Sequence, residues 1–88
     1  MAIKVSLYED NNNLQQSITT MLQWNHEYNL VADLPDATDV IADITSSKPD
    51  VVIIDIDMPK SNGVEAVKKI RAVNETLPID MFTVFKDD

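Results

Sequence analysis

Apolar and polar positions along this chain change period several times, and each change marks an element. Residues 3–8 place Ile3, Val5 and Leu7 on one face at a spacing of two, which predicts a strand. Glu9, Asp10 and three Asn residues break it. An Asn side-chain oxygen accepts the free N–H groups of a first helical turn, so a helix should follow, to about Gln23. Leu14, Ile18, Met21 and Leu22 recur at helical spacing as its buried stripe, with Trp24 and Tyr28 expected to cover the core rim. Residues 29–34 read as a second, weaker strand. Pro35-Asp36 then forms a boundary with a cap, followed by a helix marked by Ala37, Val40, Ile41 and Ile44. It ends at Ser46-Ser47-Lys48-Pro49.

Residues 51–56 are Val and Ile broken only by Asp55, the pattern of a strand buried on both faces, as in parallel sheets. A loop over 58–62 leads to Gly63, which opens a third helix with Val64, Val67 and Ile70 inside and Lys68, Lys69 and Arg71 outside as a solvated face. Residues 78–84 read as a fourth strand. Strands alternating with helices predict an α/β fold with a parallel sheet and helices on both faces.

Composition narrows the function. The 88 residues suffice for one domain, and the 44% hydrophobic content fits a globular protein. The net charge of −8 repels phosphate backbones and anionic lipid, so neither nucleic acid nor a membrane surface is expected as a direct partner. The absence of Cys excludes disulfides, thiolate metal sites and Cys nucleophiles, and the single His, His26, reads as a surface loop residue. Neither a signal peptide nor a membrane-length apolar run is visible, which makes the cytoplasm the expected location. With Gly63 as its sole glycine, the chain has no Gly-rich phosphate loop.

The candidate chemistry lies in acids at strand ends. In open parallel sheets, ligands bind beyond the carboxyl ends of the strands. Glu9 and Asp10 follow the first strand, Asp55 and Asp57 close the third, and Thr83 lies near the end of the fourth. If the first and third strands are neighbours, these groups converge on one rim. Carboxylates gathered there oppose one another's ionisation unless a cation joins them. Mg²⁺, which takes oxygen ligands and pairs one or two carboxylates with phosphate oxygens, suits such a site.

These residues resemble the receiver domains of two-component response regulators. The acid pair Glu9-Asp10, the stretch Asp55-Ile56-Asp57-Met58-Pro59 with Gly63 after it, Thr83, and Glu65-Ala66-Val67 opening the third helix match that pattern in order. The resemblance implies a flavodoxin-like, three-layer fold with strand order 2-1-3-4. It implies that Asp55 accepts a phosphoryl group from a sensor histidine kinase. Asp10 would bind Mg²⁺ directly, Glu9 would assist through water, and Asp57 would offer its backbone carbonyl. Thr83 would bond the acyl phosphate.

The chain departs from the pattern in two ways. Receivers continue with a fifth strand, carrying a phosphate-binding Lys, and further helices, so residues 1–88 are expected to form a partial receiver domain. No Lys here can be assigned to that role. The fourth strand would then be an exposed edge, and self-association through it is expected. Asp80 stands mid-strand where receivers usually place an aliphatic residue, either exposed for want of covering elements or the mark of an engineered or decayed copy. Two other readings stay open. One is a receiver remnant that binds partners without being phosphorylated. The other is a phosphatase of the haloacid-dehalogenase type, in which the first Asp of Asp55-x-Asp57 also attacks phosphate.

Overall fold

Residues 2–83 are described in the computed structural model. Val84 of the expected fourth strand, Phe85 and Lys86 lie outside them. The elements are β1 (Ile3–Tyr8), α1 (Asn12–Gln23), β2 (Tyr28–Leu34), α2 (Val40–Ser47), β3 (Val51–Asp55), α3 (Gly63–Val73) and β4 (Ile79–Phe82). The four strands form one parallel sheet in the order β2-β1-β3-β4. The parallel α/β sheet is the one expected from the alternation, and its strand order is the flavodoxin-like one that the resemblance implies.

Local chemistry starts the first and third helices. Asn11 Oδ1 accepts the N–H of Leu14, and Asn62 Oδ1 accepts that of Val64, each satisfying a first-turn donor. The second helix begins later than expected. Asp36 spends its side chain on the N–H of Thr38 in a local turn, so α2 starts only at Val40. It closes on Lys48 in the left-handed conformation, whose N–H bonds Ile44 O. Arg71 is exposed with Lys68 and Lys69, as expected, but does more than face solvent: its Nη1 donates to the carbonyls of Asn74, Glu75 and Leu77, clamping the α3–β4 loop.

The main core lies between the sheet and α2 and α3. Tyr8, Val52 and Ile54 from the strands meet Val40, Ala66, Ile70 and Leu77, all buried. Val64 was expected inside but is 42% exposed. The buried positions of α3 are Gly63, Ala66 and Ile70, and one residue's offset turns Val64 by about 100° away from them. The other face carries Val5, Leu7, Val51 and Ile53, and among the described residues α1 is the helix that covers it. There α1 has no fully buried residue: Leu14, Ile18 and Leu22 are half-buried. Met21 and Trp24, expected in the stripe and at its rim, are 67% and 82% exposed, because they flank the row that meets the sheet. Asp80 is exposed and shares this face with Ile53, its register partner.

Candidate functional site

β1 and β3 lie side by side, with Tyr8 in register with Ile54. The residues that follow them, Glu9 and Asp10 after β1 and Asp55 at the end of β3, are therefore carried to the same rim. The backbone holds this rim by extending the ladders one step: Glu9 N–H donates to Leu34 O and Ile56 N–H to Phe82 O. One carboxylate oxygen from each of Glu9, Asp10 and Asp55 lies within 4.8 Å of the other two.

Backbone N–H groups hold two of the acids. Glu9 Oε1 accepts the N–H of Asn11 at 2.9 Å, and Asp55 Oδ1 accepts that of Asp57 at 2.9 Å. Glu9 and Asp55 are only 2% and 1% exposed. Their second oxygens, Glu9 Oε2 and Asp55 Oδ2, are buried without a hydrogen-bond partner. Burying an unsatisfied carboxylate oxygen is expensive. Burial, aided by the neighbouring charges of Asp55 and Asp10, pushes Glu9 up to about 7, against the pull of the Asn11 N–H in the other direction. Three carboxylates in a tight, oxygen-only group, with the second oxygens of Glu9 and Asp55 unfilled, suit a hard divalent cation.

The other two sequence candidates sit differently. The Asp57 side chain is exposed and outside this group, while its N–H orients Asp55. Thr83 directly follows Phe82, the register partner of Asp55, and is exposed at the same rim.

A family model, the response regulator receiver domain, matches residues 5–88. The chain belongs to this family. Among relatives, the transcriptional regulatory protein LnrK of Bacillus subtilis is 31% identical over 85 residues, covering 97% of this chain and 39% of that protein. A protein-glutamate methylesterase/protein-glutamine glutaminase of Pseudoalteromonas translucida is 31% identical over 83 residues, covering 94% of this chain and 21% of that protein. The chain thus spans under two fifths of either relative. A LuxR-family two-component response regulator from Aurantimonas sp. SI85-9A1 superposes with a TM-score of 0.86 at 23% identity, covering 98% of this chain and 61% of that one. The isolated receiver domain of RcsB from Salmonella enterica serovar Typhimurium, solved with BeF3-, gives 0.84 at 22% identity, covering 99% and 65%. At these identities the two structures establish the shared fold.

Two residues of this receiver matter for the site in ways that motif reading missed. A Cβ on Gly63 would lie 2.5 Å from both Asp55 O and Ile56 Cα, so only glycine lets α3 start against the end of β3. Its φ is negative, and close approach alone imposes the choice. The wholly buried Tyr8 donates its hydroxyl to Asp43 Oδ2 at 3.1 Å, tying the strand end before Glu9 to α2. Burial, together with the Asp43 charge, pushes the Tyr8 hydroxyl well above its usual range, keeping it a donor. The sequence signal for Tyr8 was a polar-tipped aromatic ending a strand that enters the core.

Proposed function

We propose that residues 1–88 act as one phosphoacceptor receiver module in the cytoplasm, with Asp55 taking a phosphoryl group from a phosphohistidine of a sensor histidine kinase. The observation that carries this reading is the gathering of buried Glu9 and Asp55 with half-buried Asp10, one oxygen of each within 4.8 Å of the others, and Glu9 Oε2 and Asp55 Oδ2 without a donor. Asp10 and Asp55 would hold Mg²⁺, with Glu9 acting through water and Asp57 through its backbone carbonyl. The ion supplies charge neutralisation for the phosphoryl oxygens. Asp55 is the nucleophile: its carboxylate oxygen forms a bond to phosphorus as the phosphorus–nitrogen bond breaks, and the imidazole leaves with that electron pair. The Asp57 N–H fixes the Asp55 carboxylate, so little reorganisation precedes attack. Thr83 offers a hydroxyl to the acyl phosphate from the neighbouring strand end. The product is stoichiometric, one mark per chain, without turnover.

Incubation with acetyl phosphate and Mg²⁺, read by intact mass, tests this. One added phosphoryl group, lost in Asp55→Asn and without chelated Mg²⁺, is the expected result. An unchanged mass would overturn it and leave the reading as an unphosphorylated interaction module. Continuous release of phosphate from p-nitrophenyl phosphate would instead favour the phosphatase reading.

A further inference from the structure

We infer that the open half of the α1 side of the sheet is a docking groove for an amphipathic helix of a different protein, one whose apolar stripe carries a Lys or Arg to meet Asp80. Gln15 and Thr19 of α1 both donate to Asp33 Oδ2 on β2, which latches the helix over the β2 side of the sheet. Val5 and Leu7 of β1 are closed off. Further across the sheet the cover ends: Val51 and Ile53 of β3 are half-buried, and Pro78 and Asp80 of β4 are exposed. The gap is a groove of about 590 Å³ between α1 and the strands, with the exposed side chains of Ile3, Met21 and Tyr28 along it. Four strands about 4.8 Å apart place the outer two about 14 Å from each other. A helix with its side chains is about 10 Å across, so α1 leaves room for one more on this face. The opposite face shows such packing completed, with α2 and α3 together closing Val52 and Ile54 off from water.

Charge on the groove identifies the occupant. Asp80 stands in register with Ile53, an acid beside an apolar floor. Asp50, whose Oδ2 accepts the Lys4 N–H, adds a second acid at the start of β3. Among the described residues, no Lys or Arg lines the groove. A wholly apolar helix laid over Asp80 would strip water from its carboxylate and return nothing. A helix that brings a Lys or Arg to that carboxylate replaces the lost water with a charge-assisted hydrogen bond, while its stripe covers Val51 and Ile53. A second copy of this chain has no such helix to offer. Helix α1 carries no charged residue, α2 carries only the acid Asp43, and α3 uses its apolar positions Ala66 and Ile70 in its own core. The net charge of −8 also repels a second copy and attracts a basic partner. The occupant is therefore a basic amphipathic helix from another chain, seated by its apolar stripe and selected by Asp80. This site is separate from the acid cluster and does not depend on phosphorylation.

Binding of a labelled synthetic peptide to the whole chain, read by fluorescence anisotropy, tests the inference. The probe is an amphipathic helix of about four turns with one Arg in its Leu stripe, and two companion peptides replace that Arg by Leu or by Glu. The expected result is saturable binding of the Arg peptide, about tenfold or more tighter than either companion. Asp80→Lys, confirmed as folded by circular dichroism, should reverse the order and favour the Glu peptide. In the unaltered chain, titration with the Arg peptide should move the methyl resonances of Val51 and Ile53 and leave that of Thr20, on the outer side of α1, in place. Failure of the Arg peptide to bind would overturn the inference. So would equal binding of the Arg and Leu peptides, an order that ignores Asp80→Lys, or shifts confined to Thr20. Sedimentation of the chain alone as a dimer that Asp80→Lys dissociates would seat a second copy in the groove and count equally against it.

Discussion

The two faces of the sheet are built unequally. On the α2 and α3 side, Tyr8, Val52, Ile54, Ala66 and Ile70 are closed off from water and form one continuous core. On the α1 side, a groove of about 590 Å³ runs between α1 and the strands, with Ile3, Val5, Met21, Val51 and Ile53 along it and Asp80 at its edge. Both faces carry apolar strand residues, because β1 and β3 are central strands of a parallel sheet. They differ in what is laid over them. The closed face therefore carries the larger share of stability, while the open face is where apolar surface remains available to another helix. The acid cluster sits at the rim between them and depends on the closed face, since Gly63 and Tyr8 both tie it there.

Ile70→Ala attacks the closed face at a wholly buried position, and a loss of about 2–5 kcal/mol is expected from chemical denaturation. Gly63→Ala adds a methyl group 2.5 Å from the backbone at the end of β3. It should lose about 1–3 kcal/mol, and it should also reduce Asp55 phosphorylation by displacing the strand end, a pairing that Ile70→Ala need not show. The rim should respond to pH. Without divalent cations, Glu9 keeps its proton up to about 7 when folded but titrates near 4.5 when unfolded. Its contribution to stability is fully present below pH 4.5, falls as pH rises between these values, and is gone above about 7. Thermal melts in chelator should show this slope reduced in Glu9→Gln, and Mg²⁺ should raise the melting temperature most at the alkaline end. Met21→Ala on the open face should change stability by less than about 0.5 kcal/mol, since the side chain is 67% exposed. A loss as large as that of Ile70→Ala would show that the two faces contribute alike.

Much of this organisation was legible in residue order. The six-residue β1 and the Val-Ile run before Asp55 were plain because strands with buried faces need apolar residues at fixed spacing. Asn11 was legible as a cap because capping is a contact within one turn. The family itself was legible because its signature is a local string, from Asp55 through Met58-Pro59 to Gly63. The positions misjudged are those whose environment is set by distant segments. Val64 and Val67 have the same composition, yet only Val67 packs against the core, because the rotation of α3 follows from where Gly63 seats against Ile56. Met21 read as a core residue and Trp24 as a cover for the core rim, because helical spacing identifies an apolar stripe without saying how much of it a neighbour covers. Arg71 was rightly read as surface, but its clamp went unread, because the three carbonyls it holds are brought to it by a loop turn.

By itself, then, the order of residues determined the element sequence, the parallel sheet and the identity of the acids at the strand ends, since each follows from periodicity or from neighbours a few positions apart. Only the tertiary structure decided that Glu9, Asp10 and Asp55 share a space within 4.8 Å and that α1 keeps its Trp and Met in water. Those outcomes depend on which strands lie side by side and on which helices cover them. The meeting of Asp55 with Glu9 and Asp10 joins residues more than forty positions apart, and no local pattern encodes that distance.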